Sequence, residues 1–289
     1  MEILSPLPSF KIGYPRNTAI PLVISSPHSG RYYPPDFLNT AALPLHELQR
    51  SEDRFMDQLM EDAPDFGATL LSTEFSRSWC DVNRDWREVD PEMFKQKIPK
   101  NDFISTSKVK SGFGVIPRCI SHGKKIHSNL LEISEIMKRI SISWLPYHEA
   151  LSMILNDIQL HFGYVILLEM HSMPKLPYAH SCDIVLGDIH GKSCRPEISD
   201  EIENILKRKS YSIRRNTPYS GGYITQHYGR PDKKIHAIQI EICRSLYLNA
   251  ATLKPGNGFE KTKLNMRHLI SDFSNWISKE NGSLRFLSQ

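Results

Sequence analysis

The sequence predicts an α/β fold: a single-domain, three-layer sandwich around a mixed, mostly parallel sheet. Short, continuous apolar runs recur along the chain and suit strands that are covered on both faces. Segments with helical periodicity lie between these runs, and this alternation is typical of α/β sandwiches. The 289 residues show no internal repeat and no low-complexity linker that would mark a second domain. We therefore interpret 1–289 as one domain.

Five strands and five helices follow from the pattern. The strands are predicted at 20–24, 68–72, 163–169, 183–186 and 237–242. The helices are predicted along the apolar stripe at 45–60 and at 127–140, 145–161, 199–209 and 263–278. The stretch 94–122 lacks either period and contains Gly112 and Gly114. It is predicted to form a long loop near the functional site.

Composition excludes several classes of protein. Hydrophobic residues make up 40% and charged residues 24% of the chain, which excludes a disordered or collagen-like polypeptide. No apolar run approaches the roughly 18 residues that a membrane span requires. The first residues lack a signal-peptide pattern, so a cytoplasmic protein is expected. Five scattered cysteines without a CxxC pair argue against a disulfide framework and a cysteine zinc site. A net charge of +4 is too small to indicate a nucleic-acid partner.

Two histidines occupy the edge at which α/β sheets bind ligands. His28 follows strand 20–24 in the segment PHSG, and His171 follows the run of strand 163–169 in the segment EMHSM. Open α/β sheets place ligands at the carboxyl ends of their strands. A pair of hydrogen-bonded loop histidines is the alternative, but the same context occurring twice favours a shared site.

A metal site would need a third ligand, and a carboxylate commonly joins two histidines in catalytic zinc sites. The segment SED supplies Glu52 and Asp53. Asp53 lies on the 45–60 stripe and is expected to point inward, whereas Glu52 is expected to face solvent. Acidic residues after a serine also favour a helix N-terminus, so spacing alone leaves both interpretations open.

Glu241 lies inside an apolar strand, in the segment AIQIEICR. A buried acid is unfavourable unless it is paired, and such acids cluster at functional sites. A structural partnership with Arg244 is the alternative. Glu241 is therefore a candidate functional residue.

The segment RSWCDVNR, from Arg77 to Arg84, places two arginines and Asn83 within eight residues. Guanidinium forks bind carboxylates through two parallel hydrogen bonds, so an anion clamp is the functional interpretation and a charged surface turn the alternative. The segment SGGY, ending at Tyr223, places Gly222 where backbone can approach a ligand closely. Neither a GxxxxGK[ST] phosphate loop nor a GxSxG serine motif is present.

Together these segments resemble the N-formylglutamate amidohydrolase family. The likeness runs from about residue 21 to residue 249 and rests on five ordered motifs: SPHSGR, SED, RSWCDVNR, EMHSM, and GGYI followed by QIEICR. That family is similar in turn to zinc carboxypeptidases and aspartoacylases, which hydrolyse amides next to a free carboxylate. The resemblance therefore implies a fold like that of the zinc carboxypeptidases, also called phosphorylase/hydrolase-like.

The resemblance also implies a role for each candidate residue. One zinc ion would be held by His28, Asp53 and His171. Glu241 looks like the base that activates water, and Arg77 like the arginine that polarises the scissile carbonyl. Residues that would contact the substrate are Asn83, Arg84, Gly222, Tyr223 and Arg244, of which Asn83 and Arg84 resemble a pair that holds a carboxylate.

One position departs from the wider pattern. Wider relatives carry a glutamate three residues after the first metal histidine, where this chain has Arg31. The acidic ligand is therefore expected to be Asp53, with Glu52 as the other candidate.

The implied reaction is the metal-dependent hydrolysis of an N-acylated acidic amino acid, N-formyl-L-glutamate giving formate and L-glutamate in histidine degradation. The alternatives are a carboxypeptidase-like or aspartoacylase-like hydrolase of another N-acyl amino acid, and a non-catalytic ligand-binding relative. The expected partner is a small N-acyl amino acid, with no nucleic acid and no membrane.

Overall fold

The computed structural model describes residues 7–97, 103–177 and 181–286. Within these ranges the strands of the main sheet are β1 (Phe10–Gly13), β2 (Leu22–Ser26), β3 (Thr69–Thr73), β4 (Val165–Met173), β5 (Ile184–Gly187), β6 (Ile213–Arg215) and β7 (Ile235–Cys243). Their order is β1-β3-β2-β4-β7-β5-β6. Only β1–β3 and β5–β7 pair antiparallel among these described strands, which confirms the predicted mixed, mostly parallel sheet. A short separate ribbon is formed by β8 (Leu248–Asn249) and β9 (Lys254–Pro255).

Helices cover both faces of this sheet. The described helices are α1 (Pro35–Thr40), α2 (Leu45–Leu48), α3 (Met56–Leu59), α4 (Ser107–Lys110), α5 (Ile133–Arg139), α6 (Leu145–Phe162), α7 (Pro196–Arg208), α8 (Tyr223–Tyr228) and α9 (Phe259–Phe286). One core packs α3, α7 and α9 against the sheet, and the other packs α1, α2, α5, α6 and α8 against its opposite face. The predicted three-layer sandwich is therefore confirmed. None of the described helices combines the length and hydropathy needed for a membrane span.

The central strands are apolar on both sides because both faces are covered. In β4, Ile166 and Leu168 belong to one core, while Val165 and Leu167 belong to the other. Successive side chains of a strand point to opposite faces, so a strand between two helical layers needs an unbroken apolar run. This run ends at the carboxyl end of β4, where Glu169 and His171 are buried polar residues.

The apolar stripe at 45–60 does not form one helix, contrary to the prediction. It divides into α2, a 3-10 turn at Gln49–Ser51, and α3, and Phe55 just before α3 has a left-handed backbone with φ 64°. Asp53 lies in this interruption, and its N–H donates to the carbonyl of His28 at 3.0 Å. The break in the helix therefore places Asp53 beside the loop that follows β2.

Candidate active site

A cleft of about 1550 Å³ opens at the carboxyl ends of β2, β4 and β7. His28, Asp53, His171 and Glu241 all line it. The predicted long loop at 94–122 also lines the cleft, through residues between Ser107 and Ser121. The expectation that this loop lies near the functional site is therefore confirmed for the residues that the structure describes.

Three side chains meet on the floor of the cleft. Nδ1 of His28 lies 3.3 Å, and Nδ1 of His171 3.0 Å, from the same oxygen, Oδ2 of Asp53. Each of these side chains is at most 3% exposed. Nδ1 of His28 has no hydrogen-bond partner in the part of the chain that the structure describes. The fold thus gathers the three predicted metal ligands so that their donor atoms face one another.

The other nitrogen of each histidine contacts a buried carboxylate. Nε2 of His28 lies 2.7 Å from Oδ1 of Asp81, and Nε2 of His171 lies 2.6 Å from Oε1 of Glu169. When Nε2–H donates to the carboxylate, Nδ1 keeps its free electron pair, and carboxylate–histidine pairs of this kind orient metal ligands. Sequence analysis missed both roles. For Glu169 the sequence did contain a signal: it lies two residues before His171, and residues two apart in a strand share a face.

The second oxygen of Asp53 is also held. Oδ1 accepts hydrogen bonds from the hydroxyl of Ser172 at 2.9 Å and from Nη2 of Arg244 at 2.8 Å. Burial alone would raise the pKa of Asp53, but its hydrogen bonds to His171 and His28 hold that pKa well below its usual range. Asp53 is therefore an ionised carboxylate with one oxygen turned toward the two histidines. Arg244, the suggested structural partner of Glu241, forms its ion pair with Asp53 instead.

The prediction that Glu52 faces solvent is wrong. Glu52 is 1% exposed, and its carboxylate accepts hydrogen bonds from the hydroxyl of Tyr33 and from Arg54, the latter at 2.8 Å. Because the backbone here is not helical, the neighbouring Asp53 and Glu52 can both point inward. Arg31, at the position where wider relatives carry glutamate, pairs with Asp57 at 2.6 Å.

Glu241 lies next to His171 on the adjacent strand, since the parallel register of β4 and β7 pairs these two residues. It is 8% exposed, and Nε2 of Gln239 donates to its Oε1 at 2.9 Å. Burial raises the pKa of Glu241 to about 7. A carboxyl group with a pKa near neutrality can both accept and donate a proton during a reaction.

The charges of the site favour a bound cation. The two histidines are surrounded by four buried carboxylates: Asp53, Asp81, Glu169 and Glu241. Two arginines pair with this group, Arg77 with Asp81 at 2.7 Å and Arg244 with Asp53 at 2.8 Å. Buried charge is unfavourable unless it is compensated. Two imidazoles and one carboxylate are donors that zinc accepts, and other divalent transition metals also use this set.

Asn83 connects the site to helix α8. Its Nδ2 donates to Glu169, and its Oδ1 accepts from the N–H of Ile224 at 2.8 Å. Gly222 makes this contact feasible, because a Cβ at that position would lie 2.4 Å from Nδ2 of Asn83. The N–H of Thr225 donates to Glu169 at 3.0 Å. The close backbone approach predicted for the glycine pair is therefore made toward the amide of Asn83.

Arg84 and Tyr223 line a second cavity of about 410 Å³ that adjoins the cleft. Arg84 lines the main cleft as well, and among the described residues it forms no ion pair; Nη1 donates to the carbonyl of Asn83 at 3.4 Å. Tyr223 lines the second cavity but not the main cleft, and its ring lies 4.9 Å from that of His227. An arginine without an acidic partner is free to bind an anion.

Comparisons with known proteins agree with this geometry. The family model for N-formylglutamate amidohydrolase matches residues 20–248. An N-formylglutamate deformylase of Pseudomonas aeruginosa is 27% identical over 277 residues, which cover 93% of this chain and 96% of that protein. An N-formylglutamate deformylase of Pseudomonas putida is 29% identical over 236 residues, which cover 79% of this chain and 82% of that protein.

Solved structures show the same fold. The crystal structure of N-formylglutamate amidohydrolase from Ralstonia eutropha JMP134 is similar with a TM-score of 0.89 and 32% identity, over 94% of this chain and 99% of that chain. A protein from Agrobacterium tumefaciens is similar with a TM-score of 0.65 and 18% identity, over 94% of this chain and 96% of that chain. At that identity the second likeness concerns the fold alone.

Proposed function

We propose that this chain, which belongs to the N-formylglutamate amidohydrolase family, hydrolyses N-formyl-L-glutamate to formate and L-glutamate, a step of histidine degradation. The observation that carries the proposal is the buried set of His28, Asp53 and His171 next to Glu241, in one cleft with the unpaired Arg84. The names of the two Pseudomonas relatives support the choice of substrate.

In this proposal His28, Asp53 and His171 hold one zinc ion. A bound divalent ion would act as a Lewis acid and lower the pKa of water. The surrounding residues keep the ligands in place. Asp81 and Glu169 contact the outer nitrogens of the histidines, and the ion pair with Arg244 directs the free oxygen of Asp53 toward them.

Glu241 would move the proton. Its carboxylate takes a proton from the attacking water and delivers it to the leaving amine nitrogen, for which a pKa near 7 is suitable. Arg77 uses Nη2 to bind Asp81 and lines the cleft. Its other N–H groups would stabilise the negative charge that develops on the carbonyl oxygen.

Asn83 and Arg84 would hold a carboxylate of the substrate. Nδ2 of Asn83 lies 3.2 Å from Nε2 of His171. If Nε2–H of His171 donates to Glu169, that nitrogen accepts no hydrogen bond from Asn83, and the second N–H of the amide is left for the substrate. The guanidinium of Arg84 provides a planar pair of donors. Gly222 and Tyr223 would border this substrate group, whereas Arg244 lines the cleft with donors that already hold Asp53 and Ser172.

Release of free glutamate, the product common to three candidate substrates, tests the proposal. The protein is loaded with zinc, dialysed, and assayed with N-formyl-L-glutamate, N-acetyl-L-glutamate and a peptide ending in glutamate, while bound zinc is measured by mass spectrometry. We expect one zinc ion per chain and the highest kcat/KM for the formyl substrate. Preference for the acetyl compound or the peptide would favour an aspartoacylase-like or carboxypeptidase-like enzyme. Binding without turnover of any of the three would favour a ligand-binding relative.

A further inference from the structure

Two cations mark the place where the main cleft and the second cavity meet. Among the described residues, those that line both are Arg84, Lys108, Gly221 and Gly222. The glycines have no side chains to cover the junction, so the charged groups there are the guanidinium of Arg84 and the ammonium of Lys108. Any ligand that spans the two cavities passes these groups.

Neither cation forms an ion pair with the part of the chain that the structure describes, since no carboxylate oxygen lies within 4.0 Å of either charged group. Asp81 attracts both cations from farther away, and Glu88 attracts Lys108. Arg77 and Lys124 of the cleft are paired, with Asp81 and Glu47 respectively, each at 2.7 Å, whereas the exposed Lys175 lines the main cleft alone and forms no ion pair among the described residues. Partial desolvation in the cleft, and then the positive charge of Arg84, lowers the pKa of Lys108, although its side chain is exposed. The two cations are therefore close enough to repel each other.

The position of Lys108 is set by the fold. It lies on α4, which begins with the hydroxyl of Thr106 accepting a hydrogen bond from the N–H of Val109 at 3.2 Å. Val109 is 2% exposed and anchors the helix in the interior. The carbonyl of Lys108 accepts from the N–H of Phe113 at 2.8 Å. These contacts fix the backbone from which the lysine side chain reaches the junction.

We infer that Arg84 and Lys108 form a subsite for a dicarboxylate, in which Arg84 binds the α-carboxylate and Lys108 the side-chain carboxylate of the acidic amino acid. The inference rests on the proposed function and adds the source of its selectivity. Two neighbouring cations without partners are unfavourable, and a ligand with two separated negative charges removes that repulsion. Arginine suits the carboxylate that must be oriented for reaction, while lysine acts as a point charge.

Ligand binding tests the subsite without requiring turnover. Glutarate carries both carboxylates of the substrate skeleton, and its monoamide, glutaramate, carries one. Calorimetric titration of zinc-loaded protein should show that Lys108→Gln weakens glutarate binding about 10- to 100-fold, as expected for a lost charge-assisted contact. Glutaramate binding should change by less than about threefold, and Lys108→Arg should keep most of the glutarate affinity. Lys110→Gln is the matched control, because Lys110 lies on the same helix and lines neither cavity.

Turnover separates this inference from the proposed function. With N-formyl-L-glutamate and N-formyl-L-glutamine as substrates, Lys108→Gln should lower kcat/KM for the glutamate compound alone. Equal glutarate affinities in the wild-type protein and Lys108→Gln would overturn the subsite and leave Lys108 as a solvated surface lysine. Glutarate binding that depends on Lys108, without formate release from either substrate, would support the subsite and overturn the proposed function.

Discussion

At the scale of single residues, Glu241 has the most direct test. Glu241→Gln keeps the shape of the side chain but removes its ability to accept a proton, and Glu241 is not one of the three proposed metal ligands. We expect kcat for formate release to fall about 10²- to 10⁴-fold while bound zinc is unchanged. Glu47→Gln is the control, because Glu47 lines the same cleft but pairs with Lys124. Nearly normal turnover by Glu241→Gln would contradict its role as the base.

Asp81 supports two residues at once, since its oxygens contact Nε2 of His28 and Nη2 of Arg77, each at 2.7 Å. Asp81→Asn removes the charge that stabilises both contacts. Its amide N–H group would also face either His28 or Arg77, and two donors cannot form a hydrogen bond with each other. Zinc affinity, measured by competition with a chelator, should fall about 10- to 100-fold. Asp57→Asn removes the carboxylate partner of an arginine outside the site, Arg31, and should leave the affinity unchanged. An equal zinc Kd for the two variants would show that Asp81 does not support the metal ligand.

The choice between Asp53 and Glu52 shows the limit of sequence analysis at this scale. Residue chemistry identified two histidines as candidate metal ligands and offered two acids after Ser51 as a possible third ligand. Periodicity assigned the outward position to Glu52 because it assumed a regular helix. The helical backbone ends at Glu52, which is extended, and resumes only after the left-handed Phe55, and both acids between are buried. The break belongs to the folded structure and has no signature in the apolar spacing.

At the scale of elements, burial explains which strands were predictable. The strands of the sheet interior are covered on both faces, so their apolar runs stand out in the sequence. The edge strands β1 and β6 are only partly buried and contain Lys11, Arg214 and Arg215. Each is accessible on one side, so neither needs an apolar run, and no prediction was made for them.

The contact between Gly222 and Asn83 joins helix α8 to the floor of the site, so it concerns the packing of one element against another. In Gly222→Ala the new Cβ would lie 2.4 Å from Nδ2 and 2.7 Å from Oδ1 of Asn83, so the amide must move. We expect kcat/KM to fall about tenfold or more. In an Asn83→Ala background the clash is absent, and the same glycine change should have little further effect. Additive losses in this double-mutant cycle would mean that Gly222 acts through another contact.

At the scale of the whole molecule, the site requires most of the chain to be folded. Of the proposed ligands, His28 follows β2, His171 lies near the end of β4, and Asp53 lies between α2 and α3. Arg244, which forms an ion pair with Asp53, follows β7. Residues so distant in sequence meet only when the sheet has assembled. The proposed metal binding would therefore be coupled to folding of the sandwich as a whole.

Acid should destabilise the molecule through buried histidines that do not line the cleft. His148 and His236 are buried, and burial lowers the pKa of each to about 4. Because these folded-state values lie below the unfolded value of about 6.5, the neutral histidines contribute their full stability above pH 6.5. That contribution is lost as the pH falls toward 4, and by pH 5 the loss is about 2 kcal/mol per histidine. In urea unfolding at pH 7.5 and pH 5, His236→Gln should therefore lose less stability than the wild-type protein. His161→Gln, a change at an exposed histidine, should lose as much stability as the wild type. An equal loss in all three proteins would contradict the lowered pKa of His236 as a cause of the acid destabilisation.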